Sequence, residues 1–171
     1  MTETPFKEID PTEIQGNTFS RIDKQWFLLT AGNIQNFNTM TASWGTFGIL
    51  WNKPVVFCFV RPHRYTFQFM ESSGLFTLSF LDKEYRRMLN FCGKYSGRDV
   101  DKISSTGLIP RETREGSIFF EQAELALECR KLYFADLDPS HFLDPSILKN
   151  YPAKDFHRVY IGEIITCFKK T

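Results

Sequence analysis

Val55-Val56-Phe57-Cys58-Phe59-Val60-Arg61-Pro62-His63-Arg64-Tyr65-Thr66 is the stretch on which the fold of this 171-residue chain turns. Its first six positions are apolar without a break, as in a strand covered on both faces. Arg61-Pro62 stops the run, because proline removes a ladder donor. Just upstream, Thr46 to Trp51 reads as a partner strand, and Asn52-Lys53-Pro54 between the two predicts a hairpin turn. Working outward, Trp26 to Thr30 predicts a strand ending at Ala31-Gly32-Asn33, and Leu75 to Leu81 predicts another. Ala123 to Arg130 and His157 to Phe168 alternate apolar with polar residues, as half-wet strands do, with Gly162 as a candidate bulge. Tyr65 to Ser72 predicts a short helix. Lys83 to Cys92 predicts a second, with Tyr85, Met88, Leu89 and Cys92 on one stripe and Gly93 as its stop. Residues 94–102 read as a polar loop, and residues 1–20 as an arm leading into the first strand. Six strands with short helices, and no regular βαβ alternation, predict a mainly β, antiparallel barrel with helical insertions.

Composition narrows the function classes. Hydrophobic residues make up 42% and charged residues 24%, the balance of a globular chain, and no linker or repeat divides it, so residues 1–171 read as one domain. Lys plus Arg is 21 against 20 Asp plus Glu, so no global field draws nucleic acid or an anionic membrane. No apolar run approaches the roughly 20 residues of a membrane helix. The N-terminus lacks a secretory pattern. Cys58, Cys92, Cys129 and Cys167 are spaced 34 to 38 residues apart, which suits reduced thiols in a cytoplasmic protein rather than a disulfide framework or metal site.

Three stretches carry candidate chemistry. Asn36 to Gly45 holds small and hydroxyl-bearing residues between two strands, where a loop backbone could meet a flat ligand with alternating donors and acceptors. The plainer alternative is a turn that satisfies itself through Thr and Ser hydroxyls. Val60 to Thr66 places two Arg and a His at a strand end beside a helix start, the makings of a phosphate pocket; a solvated basic turn is the alternative. Lys94 to Asp99 repeats that chemistry with Ser96, Gly97 and Arg98. Residues 61–102 carry eight Lys or Arg against five Asp or Glu, so the positive charge gathers where these anion loops lie. No nucleophile elbow, Walker loop, HExxH or GxGxxG occurs, and any nicotinamide would have to dock directly onto another cofactor.

Taken together, Asn38 to Trp44, Lys53-Pro54, Val60 to Thr66, Phe76 to Phe80, Cys92-Gly93, Ser96 to Lys102, Leu127-Glu128-Cys129 and His157 to Glu163 resemble the flavin reductase-like family, and its flavoredoxin-type members in particular. The resemblance implies a six-stranded antiparallel split β-barrel that binds FMN at the interface of a homodimer. It implies that Met40, Thr41, Ala42, Ser43 and Trp44 line the isoalloxazine. Arg61, Arg64, Tyr65 and Thr66 would then hold the phosphate and ribityl chain. Ser79 and Phe80 would flank the ring, and Cys92, Gly93, Ser96 and Arg98 would close the pocket, with the partner subunit as one source. His157 would face the open side, where NADH or NADPH delivers a hydride to flavin N5. The implied activity is NAD(P)H-dependent flavin reduction. The alternative is a carrier that keeps FMN bound and takes electrons from a partner protein. Neither a metal, nor nucleic acid, nor a membrane enters this expectation. Cys58, Cys92 and Cys167 read as core thiols, His141 as a surface loop residue, and Glu163 as a surface carboxylate.

Overall fold

A computed structural model describes residues 5–171, so the first four residues of the expected arm lie outside it. The elements are β1 (Phe6–Ile9), α1 (Thr18–Ser20), β2 (Phe27–Asn33), β3 (Asn36–Ala42), β4 (Gly45–Leu50), β5 (Lys53–Val60), α2 (Tyr65–Ser72), β6 (Leu75–Leu81), α3 (Arg86–Lys94), α4 (Lys102–Thr106), β7 (Pro110–Glu112), β8 (Ile118–Phe120), β9 (Ala123–Asp136) and β10 (Arg158–Lys170). The main sheet runs β3-β2-β6-β9-β10-β5-β4, and β1 pairs with the far end of β10, Phe6 opposite Lys170. Every pairing is antiparallel. β7 and β8 form a separate ribbon.

The sheet rolls up because one face carries the core from nearly every strand. Leu29, Met40, Val56, Phe76, Leu127 and Tyr160 come from six strands and are buried in one cluster, to which α2 adds Phe69 and Met70. Phe47 on β4 meets Phe80 on β6 with ring centroids 6.3 Å apart, although three strands separate them along the sheet. Each such side chain contributes about 1.5–3 kcal/mol on burial. The outer face of β2, β6 and β9 holds a second cluster, in which Leu28, Leu81 and Ala126 are covered by Leu89 and Cys92 of α3 and by Phe119 and Phe120 of the ribbon. The fold is the mainly β, antiparallel barrel that the sequence predicts.

Several boundaries differ. The main sheet has eight strands in place of six. One addition is β1, inside the expected arm, where Phe6 sits edge-on to Phe119 at 5.1 Å. Another is β3, because the Asn36–Gly45 stretch is strand as far as Ala42, paired along its length with β2. The β4–β5 turn is Trp51-Asn52, both with positive φ (53° and 56°), the geometry of a two-residue hairpin. Pro54 then sits inside β5, at the end that β10 does not reach. β5 is covered on both faces only in part, since Phe57 and Phe59 are half-buried. Gly93 lies within α3 rather than ending it; a Cβ there would stand 3.3 Å from Thr41 Cβ, so glycine lets the helix approach β3.

Gly162 does mark a break in register between β9 and β10. An added Cβ would stand 2.5 Å from the ring of buried Phe76. Gly162→Ala is therefore expected to lower stability by about 1–3 kcal/mol in urea unfolding; an unchanged midpoint would show that the Phe76 ring moves aside freely.

Candidate functional site

Two clefts join along the rim of the barrel. The first, about 450 Å³, is lined by the run from Met40 to Trp44 at the end of β3, by Phe59 of β5, by Arg61, His63 and Arg64 in the β5–α2 turn, and by His157. The second, about 260 Å³, shares His63 and Arg64 and adds Tyr65, Thr66, Gly93, Ser96, Arg98 and Lys102. A wider hollow of about 560 Å³ adjoins it through Tyr65, Arg98 and Lys102.

The first cleft has an aromatic floor and two imidazoles, those of His63 and His157. His157 directly precedes β10; its ring lies 5.2 Å from that of Trp44 and 6.3 Å from that of Phe59. Its Nδ1 is 2.7 Å from the Tyr151 hydroxyl. Burial, with Arg61 close by, lowers its pKa to about 4, so the ring is neutral at ordinary pH. Trp44 remains 47% exposed, which leaves the cleft open on that side.

The second cleft is basic. Arg64 precedes α2 and donates to the Gly93 carbonyl at 3.2 Å. Arg98 donates to the His63 carbonyl and lies over the Tyr65 ring at 4.8 Å. Lys102, at the first turn of α4, is only 6% exposed, and its ammonium donates to the carbonyls of Thr39 (2.6 Å) and Cys92 (2.9 Å). Burial pushes its pKa down to about 8. Asp99 lines the same cleft, yet among the described residues no carboxylate lies within ion-pair distance of Arg64, Arg98 or Lys102. No side chain caps the start of α2; the Phe67 N–H donates to the Arg64 carbonyl at 2.9 Å, and the N–H groups of Tyr65 and Thr66 are left for water or a ligand.

The structure gathers most of the expected residues here and places three of them, Ser79, Phe80 and Cys92, outside the clefts. Ser79 and Phe80 are fully buried in β6; Phe80 fills the barrel interior against Phe27 and Phe47, and neither lines a cleft. Cys92 is fully buried beneath the site, and burial raises its thiol to about 11. Only its carbonyl serves the site, through Lys102. Arg61 lines the first cleft, but its guanidinium is taken by Asp155 and the Asn150 carbonyl, both at 2.8 Å, and lies over the Tyr151 ring. It anchors the 137–157 segment rather than an anion. Thr66 is buried, its hydroxyl accepting from Asn38 at 2.7 Å. Cys58 and Cys167 are core thiols, His141 is exposed, and Glu163 pairs with Lys53 at 2.7 Å. Lys102 and Tyr151 are among the residues that escaped the sequence reading as site residues. Lys102 falls in a stretch that reads as a polar, solvated loop, and Tyr151 carried no local signal.

Comparison with known proteins bears on this site. The family model described as "Flavin reductase like domain" matches residues 19–168. The chain belongs to the flavin reductase-like family. Among solved structures, an FMN-binding protein from Thermus thermophilus aligns at 18% identity with a TM-score of 0.69, covering 95% of this chain and 81% of that one. Flavoredoxin from Methanosarcina acetivorans aligns at 22% identity and a TM-score of 0.66, covering 94% and 76%. The NADH:FAD oxidoreductase of Streptomyces globisporus aligns at 19% identity and a TM-score of 0.65, covering 85% and 74%. The comparison with curated proteins gave no match. At these identities the solved structures establish the fold, a split barrel shared by reductases and flavoredoxins.

The neutral imidazole of this flavin reductase-like chain has a measurable consequence. Because His157 is lowered from an ordinary 6.5 to about 4, the unfolded chain binds the extra proton first as pH falls. Its contribution to stability is whole above pH 6.5 and is lost between 6.5 and 4. Wild-type stability should thus fall more steeply across that window than that of His157→Gln; parallel curves would mean that His157 titrates normally.

Proposed function

We propose that this flavin reductase-like protein binds FMN along the joined clefts and uses NADH or NADPH to reduce it. The observation that carries the proposal is the union of an aromatic cleft, flanked by a neutral histidine, with a basic cleft that has no acidic partner. Arg64, Arg98 and Lys102 offer charge-assisted donors to a phosphate dianion, which would supply the counter-charge that the fold omits. The FMN-binding proteins of the same fold support that choice of ligand. The run from Met40 to Trp44 would lie along the flat ring, and cleft volumes of this size suit such a ligand. When bound, the flavin supplies the hydride-accepting centre; the chain's own residues hold it, orient it and keep the approach dry. His157, neutral and beside Trp44, would orient the incoming nicotinamide by hydrogen bonding. A second copy of the chain would cover the open side at Trp44, making the active form a homodimer.

A carrier reading remains in view for one reason: Trp44 and Tyr151 both crowd His157 and could screen the ring from a small donor. Anaerobic mixing of the FMN-loaded protein with NADH or NADPH separates the two. Bleaching of the flavin absorbance faster than in a protein-free control is expected of a reductase. Flavin that stays bound and yellow would mean a carrier awaiting a protein donor. Arg64→Ala should weaken FMN binding by about 1.5–3 kcal/mol in calorimetry while leaving riboflavin, which lacks the phosphate, little changed. Equal effects on both ligands would remove Arg64 from the phosphate site.

A further inference from the structure

The 137–157 segment crosses from β9 to β10 and brings Tyr151 against the back of His157. Tyr151 is 6% exposed, and its hydroxyl lies 2.7 Å from His157 Nδ1. The His157 main-chain N–H also faces the phenol oxygen, whereas among the described residues no protein group is hydrogen-bonded to Nε2. A phenol carries one proton. If Nδ1–H donated to the phenol oxygen, that proton would be left without an acceptor in a buried place, which is costly. If the phenol donates to Nδ1, both groups are satisfied and the imidazole proton is left on Nε2.

The surroundings favour this second arrangement. The Arg61 guanidinium lies over the Tyr151 ring at 4.9 Å and is bonded to Asp155 and to the Asn150 carbonyl, four and one residues from Tyr151 in the chain. Asp155 also faces His63 Nδ1 at 3.1 Å. The one carboxylate near the histidine is thus already engaged, while Arg61 and His63 oppose a charged imidazole. Burial likewise keeps the Tyr151 phenol protonated.

We propose that Tyr151 is a positioning residue: its hydroxyl, held beneath the Arg61 guanidinium, fixes His157 as the Nε2–H tautomer, so that the ring offers the cleft a neutral hydrogen-bond donor. The group it serves is an acceptor oxygen on a flat substrate, such as the carboxamide carbonyl of a nicotinamide. The identity of that substrate rests on the reductase reading; the tautomer does not.

The test is long-range ¹H–¹⁵N spectroscopy of the labelled full chain, without flavin and again with FMN, the His157 signals being identified by their loss in His157→Gln. In the wild type, Nδ1 should resonate as a bare ring nitrogen and Nε2 as a protonated one. In Tyr151→Phe the two tautomers should mix, and reduction by NADH or NADPH should slow about five- to tenfold, the effect of losing one neutral hydrogen bond. A wild-type spectrum with the proton on Nδ1 would overturn the proposal, and it does so even if the variant fails to fold. A Tyr151→Phe spectrum that keeps the Nε2–H form alone would also overturn it. Mixed tautomers with an unchanged reduction rate would uphold the positioning role and count instead against a nicotinamide partner for His157.

Discussion

Lys102 sits almost out of water with its ammonium bonded only to main-chain carbonyls, one on β3 and one on α3. Taking a cation out of water is expensive, and carbonyl dipoles offset only part of that cost. The remainder shows as a pKa pulled down to about 8. The same two bonds tie the floor of the basic cleft together. β3 is the hub of this arrangement: Asn38 holds α2 through Thr66, Thr39 holds α4 through Lys102, and Thr41 donates to the Leu89 carbonyl of α3. Every helix that walls the basic cleft therefore hangs on one edge strand, through the side chains of Asn38 and Thr41 and the main-chain carbonyl of Thr39.

At the other end, the aromatic cleft depends on a second tether. Arg61 binds the returning 137–157 segment by two hydrogen bonds and a ring face, which brings Tyr151 to His157. The two arginines of the β5–α2 turn are thus divided in work. Arg61 is neutralised by Asp155 and builds the wall, whereas Arg64, three residues on, keeps its charge available to the cleft.

Much of this was legible in the sequence. The apolar run of β5 and its Arg-Pro stop located the turn on which the site is built, and the alternation located β9 and β10, although the expected wet face of β9 is covered: Ala126 and Glu128 are buried, Glu128 accepting from Thr113 and Ser117. The local surplus of basic residues over 61–102 pointed to the basic cleft. What could not be read has physical causes. β3 looks like a loop because Asn38, Thr39 and Thr41 are polar, and only the tertiary structure shows that Asn38 and Thr41 bond to helices far along the chain while the Thr39 hydroxyl bonds to β2. Phe80 and Ser79 sit in a matching motif, yet the strand alternation and the ribbon bury both. Lys102 reads as a solvated surface residue, since lysine is rarely buried without an acid. Arg61 and Arg64 are alike in sequence, and only Asp155, more than ninety positions away, tells them apart. Tyr151 reaches His157 through a segment whose path nothing local dictates.

The central claim is that Lys102 is a cation whose missing partner is the phosphate of the bound flavin, and proton uptake on binding tests it directly. At pH 8 a phosphate monoester is already fully ionised, while free Lys102, with its pKa pushed down to about 8, is only partly protonated. Titration calorimetry in two buffers of different ionisation enthalpy should show FMN binding with net uptake of a fraction of a proton, as the phosphate raises the lysine's pKa. Riboflavin should bind with none. No uptake with FMN, or equal uptake with riboflavin, would contradict the account.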